Sequence, residues 1–225
     1  MTQTVIVTGG TGGLGAAVTT GFLDDGWHVV VPWIAEHELS RVQEHERLEL
    51  VEADLMDPHG AAAAVAAAGA PAALVNLVGG FAAPGRVHET PVEDFEAQFR
   101  LNLRPAYLMC AAAIPAMLDA GGGAIVCVSS RAALQPFAGA AGYVASKRAV
   151  LGLVDALDSE YRDDGIRVNA ILPSTIDTPA NRAASPDADF SRWVKPAEIA
   201  AVVRFLCSHA AQPISGAHVP VYGRA

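Results

Sequence analysis

A tyrosine and a lysine four residues apart are the side chains in this sequence best suited to proton transfer. Tyr143 and Lys147 lie in the stretch YVASK, within a segment of helical periodicity, so they are predicted neighbours on one helix face. A phenol has a pKa near ~10 in water, and a nearby cation favours its ionised form. Taken alone, the pair is better explained as an amphipathic pair whose lysine extends to solvent.

Two serines upstream favour a chemical role for the tyrosine and the lysine over a simple amphipathic pair. Ser130 lies thirteen residues before Tyr143 and, with Ser129, ends the strand-like run AIVCVSS. Ligands of open α/β sheets bind at the carboxyl ends of strands. A hydroxyl, a phenol and an ammonium are therefore predicted at one sheet edge.

A glycine-rich turn predicts a phosphate site. The segment TGGTGGLG, residues 8–15, follows the apolar run VIV and precedes a helix-like stretch. Glycine permits positive φ and close approach to the backbone, and the first amides of a helix have no partner inside it. Such a turn binds phosphate, whereas the alternative is a flexible tight turn. Strand, glycine turn and helix in this order predict the start of a dinucleotide-binding βαβ unit.

The elements that must position these groups alternate along the chain. Strands are predicted at residues 4–8, 28–32, 48–52, 73–77, 124–129, 167–172 and 218–221. Helices are predicted at residues 14–24, 36–44, 58–68, 92–118, 142–162 and 196–208. This alternation predicts an α/β fold: one doubly wound, Rossmann-like domain, residues 1–225, with a parallel sheet of about seven strands and helices on both faces.

Composition limits the classes of function. The 225 residues are 52% hydrophobic and 17% charged with a net charge of −9, which disfavours disorder and nucleic-acid binding and leaves no room for a second catalytic domain. Cys110, Cys127 and Cys207 are far apart in apolar surroundings, as reduced core thiols of a cytoplasmic protein are, and no metal site is expected. We expect no signal peptide and no apolar run long enough to span a membrane.

Several motifs together resemble those of a known family. The turn TGxxxGxG, then ADLMD, NLVGG, RLNL, VSS, YVASK and RVNAILPSTIDTP, occur in the order found in single-domain, NAD(P)-dependent short-chain dehydrogenases/reductases. The resemblance covers essentially the full length. It implies hydride transfer between nicotinamide and a small or medium-sized carbonyl or secondary alcohol, with 3-oxoacyl thioesters as one substrate class suggested by the family.

The resemblance implies four catalytic residues. Tyr143 would be the acid/base, Ser130 would hydrogen-bond the same oxygen, and Lys147 would lower the tyrosine pKa and hold the nicotinamide ribose. Asn102 would anchor a water that relays protons to Lys147; the alternative is a polar residue facing solvent. Pro105 lacks an amide hydrogen, so within one helix it would kink the axis and free a carbonyl beside Asn102.

The implied cofactor contacts follow the carboxyl edge of the sheet. They are Gly9, Thr11, Gly13, Leu14, Gly15, Trp33, Asp54, Leu55, Asn76, Gly79, Tyr143, Lys147, Pro173 and Thr178. Asp54 would meet the adenine edge or, alternatively, cap the following helix. Val78 stands where the family has alanine, and Ser174 where it has glycine.

The end of the second predicted strand favours NAD(H) over NADP(H). Dinucleotide sites place an acid here for the ribose 2′-hydroxyl or a basic residue for the 2′-phosphate, whereas this sequence has Trp33, which would stack on the adenine of either cofactor. The glycine turn contains no arginine or lysine, and a phosphate dianion without a cation is held poorly. His37 and Arg41 stay open as phosphate partners.

The substrate pocket and the assembly are less closely defined by the sequence. Residues 178–193 lie where the family carries a mobile lid; Phe81, residues 135–137 and Phe190 or Trp193 would line the pocket or serve as ordinary packing. The apolar stretches 92–118 and 142–162 predict contacts between subunits of a homotetramer. An alternative function is a non-catalytic, dinucleotide-sensing regulator. An epimerase of the extended branch would need a further C-terminal domain.

Overall fold

The computed structural model describes residues 2–224, and these form seven strands and seven α-helices. The strands are β1 (Thr4–Thr8), β2 (His28–Trp33), β3 (Leu48–Glu52), β4 (Ala73–Asn76), β5 (Gly123–Val128), β6 (Ile166–Pro173) and β7 (His218–Val221). The helices are α1 (Gly15–Asp24), α2 (Pro58–Ala68), α3 (Val92–Asn102), α4 (Arg104–Asp119), α5 (Ala141–Tyr161), α6 (Pro179–Ala184) and α7 (Pro196–Cys207).

The strands form one parallel sheet in the order β3-β2-β1-β4-β5-β6-β7. The chain runs outward from β1 to β3 and then returns to place β4 on the other side of β1. This doubly wound, Rossmann-like sheet confirms the predicted fold class. The reversal between β1 and β4 opens a crevice at their carboxyl ends, where ligands of such sheets bind.

Alternating side chains of the strands build a core on each face of the sheet. In β1, Ile6 packs with the buried residues of α2, α4 and α5, whereas Val5 and Val7 pack with those of α1 and α7. All three side chains are fully buried. Because both faces of the strand are covered, it has no polar alternation, as expected for a parallel sheet, and its carboxyl end is held rigidly.

Two predicted helices are wrong in detail. The predicted helix 92–118 is two helices, because α3 ends at Asn102 and Pro105 lies in the first turn of α4, where a missing amide hydrogen costs no helical bond. The predicted helix 36–44 is a 3-10 helix, Glu36–Arg41. Helix α6 was not predicted, although the pair Thr178-Pro179 is a typical helix start: the Thr178 hydroxyl oxygen accepts a hydrogen bond from the α6 backbone.

One helical stretch meets the length and composition criteria for a membrane-spanning helix. By length and composition, Val92–Asp119 is long and apolar enough to cross a membrane, contrary to the expectation from sequence. The apolar window of this stretch is 44% buried within the protein, and the stretch is divided at Leu103. Core helices of soluble proteins meet the same criterion, so this is weak evidence for a membrane span.

Candidate active site

A cleft of about 1620 Å³ follows the carboxyl edge of the sheet. The glycine turn after β1 lies along its length, the end of β2 and the turn after β3 at one end, and residues after β4, β5 and β6 at the other. Sites for single small molecules enclose about 300–1,000 Å³. The cleft therefore has room for a dinucleotide together with a substrate.

The glycine turn offers backbone amides to this cleft. Gly9 has a φ of +64°, and a Cβ on Gly15 would lie 1.9 Å from the Gly9 carbonyl oxygen, so both positions require glycine. Within the described residues, the amides of Gly13, Leu14 and Gly15 donate no hydrogen bond. Unpaired amides at the positive end of α1 are suited to a diphosphate, and the turn therefore fits a dinucleotide.

Three of the four predicted catalytic residues line the other end of the cleft: Ser130, Tyr143 and Lys147. Lys147 is only 5% exposed, and its Nζ donates to the Val128 carbonyl oxygen at 3.1 Å. Ser129 Oγ donates to the Lys147 carbonyl oxygen at 2.7 Å. These bonds attach α5 to the end of β5, which fixes the tyrosine and the lysine relative to the serine.

The environment changes the acidity of both ionisable groups. Burial raises the pKa of Tyr143 above its ordinary value of 10.0, and a hydrogen bond with Ser130 lowers it by less. Burial lowers the pKa of Lys147 to about 8, with nearby Cys127 acting in the opposite direction. The hydrogen bond with Ser130 therefore only partly offsets the effect of burial on the tyrosine pKa. At neutral pH Tyr143 is a neutral phenol and Lys147 is largely charged.

Asn102 lies behind the wall of the cleft and does not line it. Its side chain is 1% exposed; Oδ1 accepts from the Gly80 amide at 2.9 Å, and Nδ2 donates to Ser146 Oγ at 3.0 Å. A Cβ on Gly79 would lie 2.7 Å from Asn102 Oδ1 and 3.0 Å from Lys147 Nζ. Gly79 thus lets the asparagine and the lysine approach each other, and the solvent-facing alternative for Asn102 is wrong.

Asn76 is the exception among the predicted cofactor contacts, and it requires a correction. Its buried side chain does not line the cleft: Nδ2 donates to Cys110 Sγ at 3.4 Å and to Cys127 Sγ at 3.6 Å. The reason is strand alternation, since the last residue of β4 faces α4, which carries Cys110. All three cysteines are free and buried.

The remaining predicted cofactor contacts outside the catalytic group all line the cleft. They are Gly9, Thr11, Gly13, Leu14, Gly15, Trp33, Asp54, Leu55, Gly79, Pro173 and Thr178. Asp54 Oδ1 accepts from the Met56 amide at 2.9 Å, while the helix α2 is capped by Asp57, whose Oδ1 accepts from the His59 amide at 2.7 Å. The helix-cap alternative therefore applies to Asp57 and leaves Asp54 on the cleft.

An ion pair beside the glycine turn was missed from sequence. Arg41 Nη1 donates to Glu38 Oε1 at 2.6 Å and lies 3.5 Å from the Thr11 carbonyl oxygen. Thr11 Oγ1 donates to Glu38 Oε2 at 3.1 Å. Both charged residues line the cleft near Trp33. The sequence signal for Glu38 is its three-residue spacing from Arg41, a candidate phosphate partner.

The aromatic candidates for the substrate pocket fall into two groups. Phe81 and Phe137 line the cleft, and the Phe81 ring lies edge-on to Tyr143 at 5.0 Å between centroids. Phe190 and Trp193 pack on each other at 4.8 Å and do not line it. Arg182, which forms a bidentate ion pair with Asp177, also lies over the Phe190 ring at 4.7 Å.

Comparison with known proteins identifies the family. The family described as short chain dehydrogenase matches residues 3–189. The chain belongs to this family. The 2-(R)-hydroxypropyl-CoM dehydrogenase of Xanthobacter autotrophicus is 38% identical over 191 residues, which cover 80% of this chain and 76% of that protein.

Similar solved structures extend the likeness to nearly the whole chain. The 3-ketoacyl-(acyl-carrier-protein) reductase from Brucella melitensis, complexed with NADH, superimposes with a TM-score of 0.89 at 29% identity and covers 99% of this chain and 98% of its own. ElxO with NADP bound gives 0.91 at 25% identity, with coverage of 99% and 98%. This chain is accordingly an NAD(P)-dependent oxidoreductase that binds a nicotinamide dinucleotide.

Proposed function

We propose that this short-chain dehydrogenase transfers a hydride between nicotinamide and a small or medium-sized ketone or secondary alcohol, with Tyr143 as the acid/base. The supporting observation is that Ser130, Tyr143 and Lys147 meet at one end of a cleft whose length is lined by the glycine turn. The bound nicotinamide supplies or accepts the hydride. Residues 1–225 then hold cofactor and substrate in one domain.

Tyr143 moves the proton. During reduction its phenol donates to the carbonyl oxygen, and Ser130 donates to the same atom, so the developing negative charge meets two placed donors. Ser130 Oγ already accepts from the Ala132 amide at 3.2 Å, which directs the hydroxyl hydrogen elsewhere. Because burial raises the pKa of Tyr143, reduction is favoured at neutral pH, and alcohol oxidation accelerates as the pH rises and the phenol ionises.

Lys147 and Asn102 support this proton transfer. One of the three Nζ donors of Lys147 bonds the Val128 carbonyl oxygen, and the others are available to the nicotinamide ribose hydroxyls. Asn102 acts as a positioning residue: it holds the Gly80 amide next to Lys147 and anchors the water through which protons reach that lysine.

NAD(H) is the preferred cofactor in this proposal. Glu38 and Asp54 are the acidic residues among those that line the cleft, and both lie at the end near Trp33. The charge of Arg41 is already compensated by Glu38. A 2′-phosphate at this end would meet an uncompensated acid and no free cation, whereas a 2′-hydroxyl can donate to a carboxylate.

The activity is tested with a panel of ketones and secondary alcohols, each assayed with NADH and NADPH at the nicotinamide absorbance. Turnover of a carbonyl substrate, higher in kcat/KM with NADH, is the expected result. Calorimetric binding of the dinucleotide without turnover of any substrate would favour the dinucleotide-sensing alternative instead.

The proposed assembly is a homotetramer in the cytoplasm, where the three buried thiols stay reduced. Tyr107 is 57% exposed and adjoins an apolar depression of about 480 Å³ on α3, α4 and α5. The depression is lined by Phe99, Arg100, Leu103, Arg104, Tyr107, Ala149 and Leu153. A second copy related by a two-fold axis would cover this surface. Light scattering at micromolar concentration should give the tetramer mass, and a monomer mass would contradict the proposal.

A further inference from the structure

The charged side chains of the cleft are divided unevenly between its two ends. The charged residues of the described chain that line the cleft are Glu38, Arg41, Asp54, Arg131 and Lys147. Both acids lie at the end near Trp33, together with the paired Arg41. The end formed by Ser130 and Tyr143 is lined by two cations and by no acid.

Arg131 directly follows Ser130 and begins the 3-10 turn after β5. Its Nε donates to Gln135 Oε1 at 2.8 Å, and its guanidinium carbon lies 5.2 Å from the centroid of the Tyr222 ring. Over residues 2–224, Arg131 forms no ion pair with a carboxylate and no other hydrogen bond through its side chain. The two contacts fix the guanidinium plane and leave both terminal amino groups available as a fork of donors.

Packing alone does not require a positive charge at this position. Gln135 is uncharged and the Tyr222 ring attracts the guanidinium only weakly, so neither contact compensates the charge of Arg131. Lys147, the other charged residue at this end of the cleft, is also a cation and supplies no opposite charge. A bound anion would supply it.

We propose that Arg131 binds an oxoanion group of the substrate, a carboxylate or a phosphonate-like group attached a few bonds from the reacting carbonyl. The inference rests on the proposed function, because Ser130 and Tyr143 fix where that carbonyl lies. The guanidinium fork matches two oxygens of a carboxylate or phosphate in parallel hydrogen bonds. Phe81 and Phe137, which line the same end, cover the carbon chain between the two polar groups. The substrates are thus oxo acids or the corresponding hydroxy acids.

The first test compares substrates that differ in charge. We would measure kcat/KM with NADH and NADPH for 4-oxopentanoate, its methyl ester and 2-oxopropylphosphonate, using wild type, Arg131→Gln and Arg131→Lys. The wild type is expected to favour the anions over the ester by about tenfold, since a half-exposed charged pair contributes modestly. Arg131→Gln removes this preference by lowering the values for the anions alone, and Arg131→Lys retains part of it. The ratio between carboxylate and phosphonate identifies the favoured anion.

Arg148→Gln is the matched control. Arg148 is exposed on α5, its Nη1 lies 3.4 Å from the Ala133 carbonyl oxygen close to the same turn, and it does not line the cleft. The control removes one positive charge near the site without touching the proposed anion contact, so it should leave the preference for anions unchanged.

The second test does not depend on turnover. Pentanoate should raise the unfolding temperature of NADH-loaded wild type, whereas pentanamide should not, and Arg131→Gln should abolish the pentanoate effect. Protection by pentanoate without turnover of any carbonyl supports the anion site and contradicts the proposed reaction. Equal turnover of ester and anions, or an equal loss for all three substrates in Arg131→Gln, overturns the anion site and leaves the reaction standing. If the protein turns over no carbonyl substrate and pentanoate gives no protection, both the anion site and the proposed reaction are overturned.

Discussion

The two ends of the cleft are held by different kinds of contact. At the catalytic end, Lys147 is buried and bonded to the backbone of β5, and Ser129 ties α5 to the same strand. At the adenine end, Glu38 and Arg41 belong to a short 3-10 helix without buried residues and bond chiefly to each other and to Thr11.

This difference corresponds to the two proposed roles of the cleft, which are proton transfer at one end and selection between NAD(H) and NADP(H) at the other. Backbone hydrogen bonds fix Lys147 inside the core, so a substitution at this end removes both geometry and a charge that burial disfavours. Glu38 and Arg41, which would face the 2′ position, have side chains that are 29% and 44% exposed, and ion pairs in such positions contribute little. Changes at the catalytic end should therefore have large effects, and changes at the adenine end should shift selectivity mildly.

The largest effect is expected from Tyr143→Phe, which removes the phenolic oxygen and keeps the ring that packs edge-on against Phe81. Turnover should fall by about 10²- to 10⁴-fold because the proton donor is lost. Calorimetric affinity for the dinucleotide should stay within about threefold, since the lost group acts on the substrate oxygen. Retained turnover in the variant would remove Tyr143 from its proposed role.

Lys147→Met should stabilise the folded protein at neutral pH while abolishing activity. Burial lowers the pKa of Lys147 from 10.5 to about 8, so at pH 7 the folded state holds a charge that burial disfavours. The corresponding cost is about 3 kcal/mol and is present in full below pH 8. Between pH 8 and 10.5 the folded state has released the proton and the unfolded state has not, so wild-type stability rises with pH through that window.

Urea unfolding of wild type and Lys147→Met at pH 7 and pH 10 tests whether wild-type stability rises with pH as expected. The advantage of the variant should shrink as the pH rises. Lys195→Met, which alters an exposed lysine, should keep the wild-type dependence on pH. An advantage of Lys147→Met that is constant with pH would mean that packing, not the buried charge, explains it.

Much of the fold and part of the site were predictable because both depend on local pattern. β1 has the predicted bounds, since a short β-branched run such as TVIVT between turns has few alternatives, and β3 has them as well. The glycine turn was recognisable because the close approach of Gly15 to Gly9 excludes every other residue there. The pairing of Tyr143 with Lys147 followed from helix geometry alone.

What the sequence did not reveal depends on three-dimensional context. Asn76 was expected at the cofactor, but the sheet face on which it lies is set by the register of β4 with its neighbours. Phe190 and Trp193 form their own cluster, which no spacing rule distinguishes from a pocket wall. The bond from Glu38 to Thr11 joins residues 27 positions apart and has no sequence signature.

Gly13→Val is expected to have an intermediate effect, on cofactor affinity and not on folding. A Cβ on Gly13 would lie 3.1 Å from Thr178 Cγ2, at the wall of the cleft, so the valine methyls would crowd the proposed diphosphate position. Calorimetric titration should give an affinity about tenfold weaker, with a urea midpoint close to wild type. Gly152→Ala, where a Cβ meets nothing within 4 Å, is the control. Unchanged affinity in folded Gly13→Val would refute the phosphate role of the turn.

The smallest effects are expected at the adenine end, in the ratio of kcat/KM for NADH and NADPH. Trp33→Asp should sharpen the preference for NADH by offering the 2′-hydroxyl an acceptor. Ile34→Arg, at a residue that is 69% exposed, should reverse the preference by supplying a cation for the phosphate.

Glu38→Gln tests whether the ion pair between Glu38 and Arg41 disfavours NADP(H). The substitution removes the charge that faces a 2′-phosphate and releases Arg41 from its ion pair, so kcat/KM with NADPH should rise about three- to tenfold while the value with NADH changes little. Glu36→Gln, on the same 3-10 helix but outside the cleft lining, should change neither value. A wild type that strongly prefers NADPH would contradict the proposed preference, and it would mean that Arg41 leaves Glu38 to bind the phosphate. In that case Arg41→Gln, and not Glu38→Gln, would produce the larger change in the ratio.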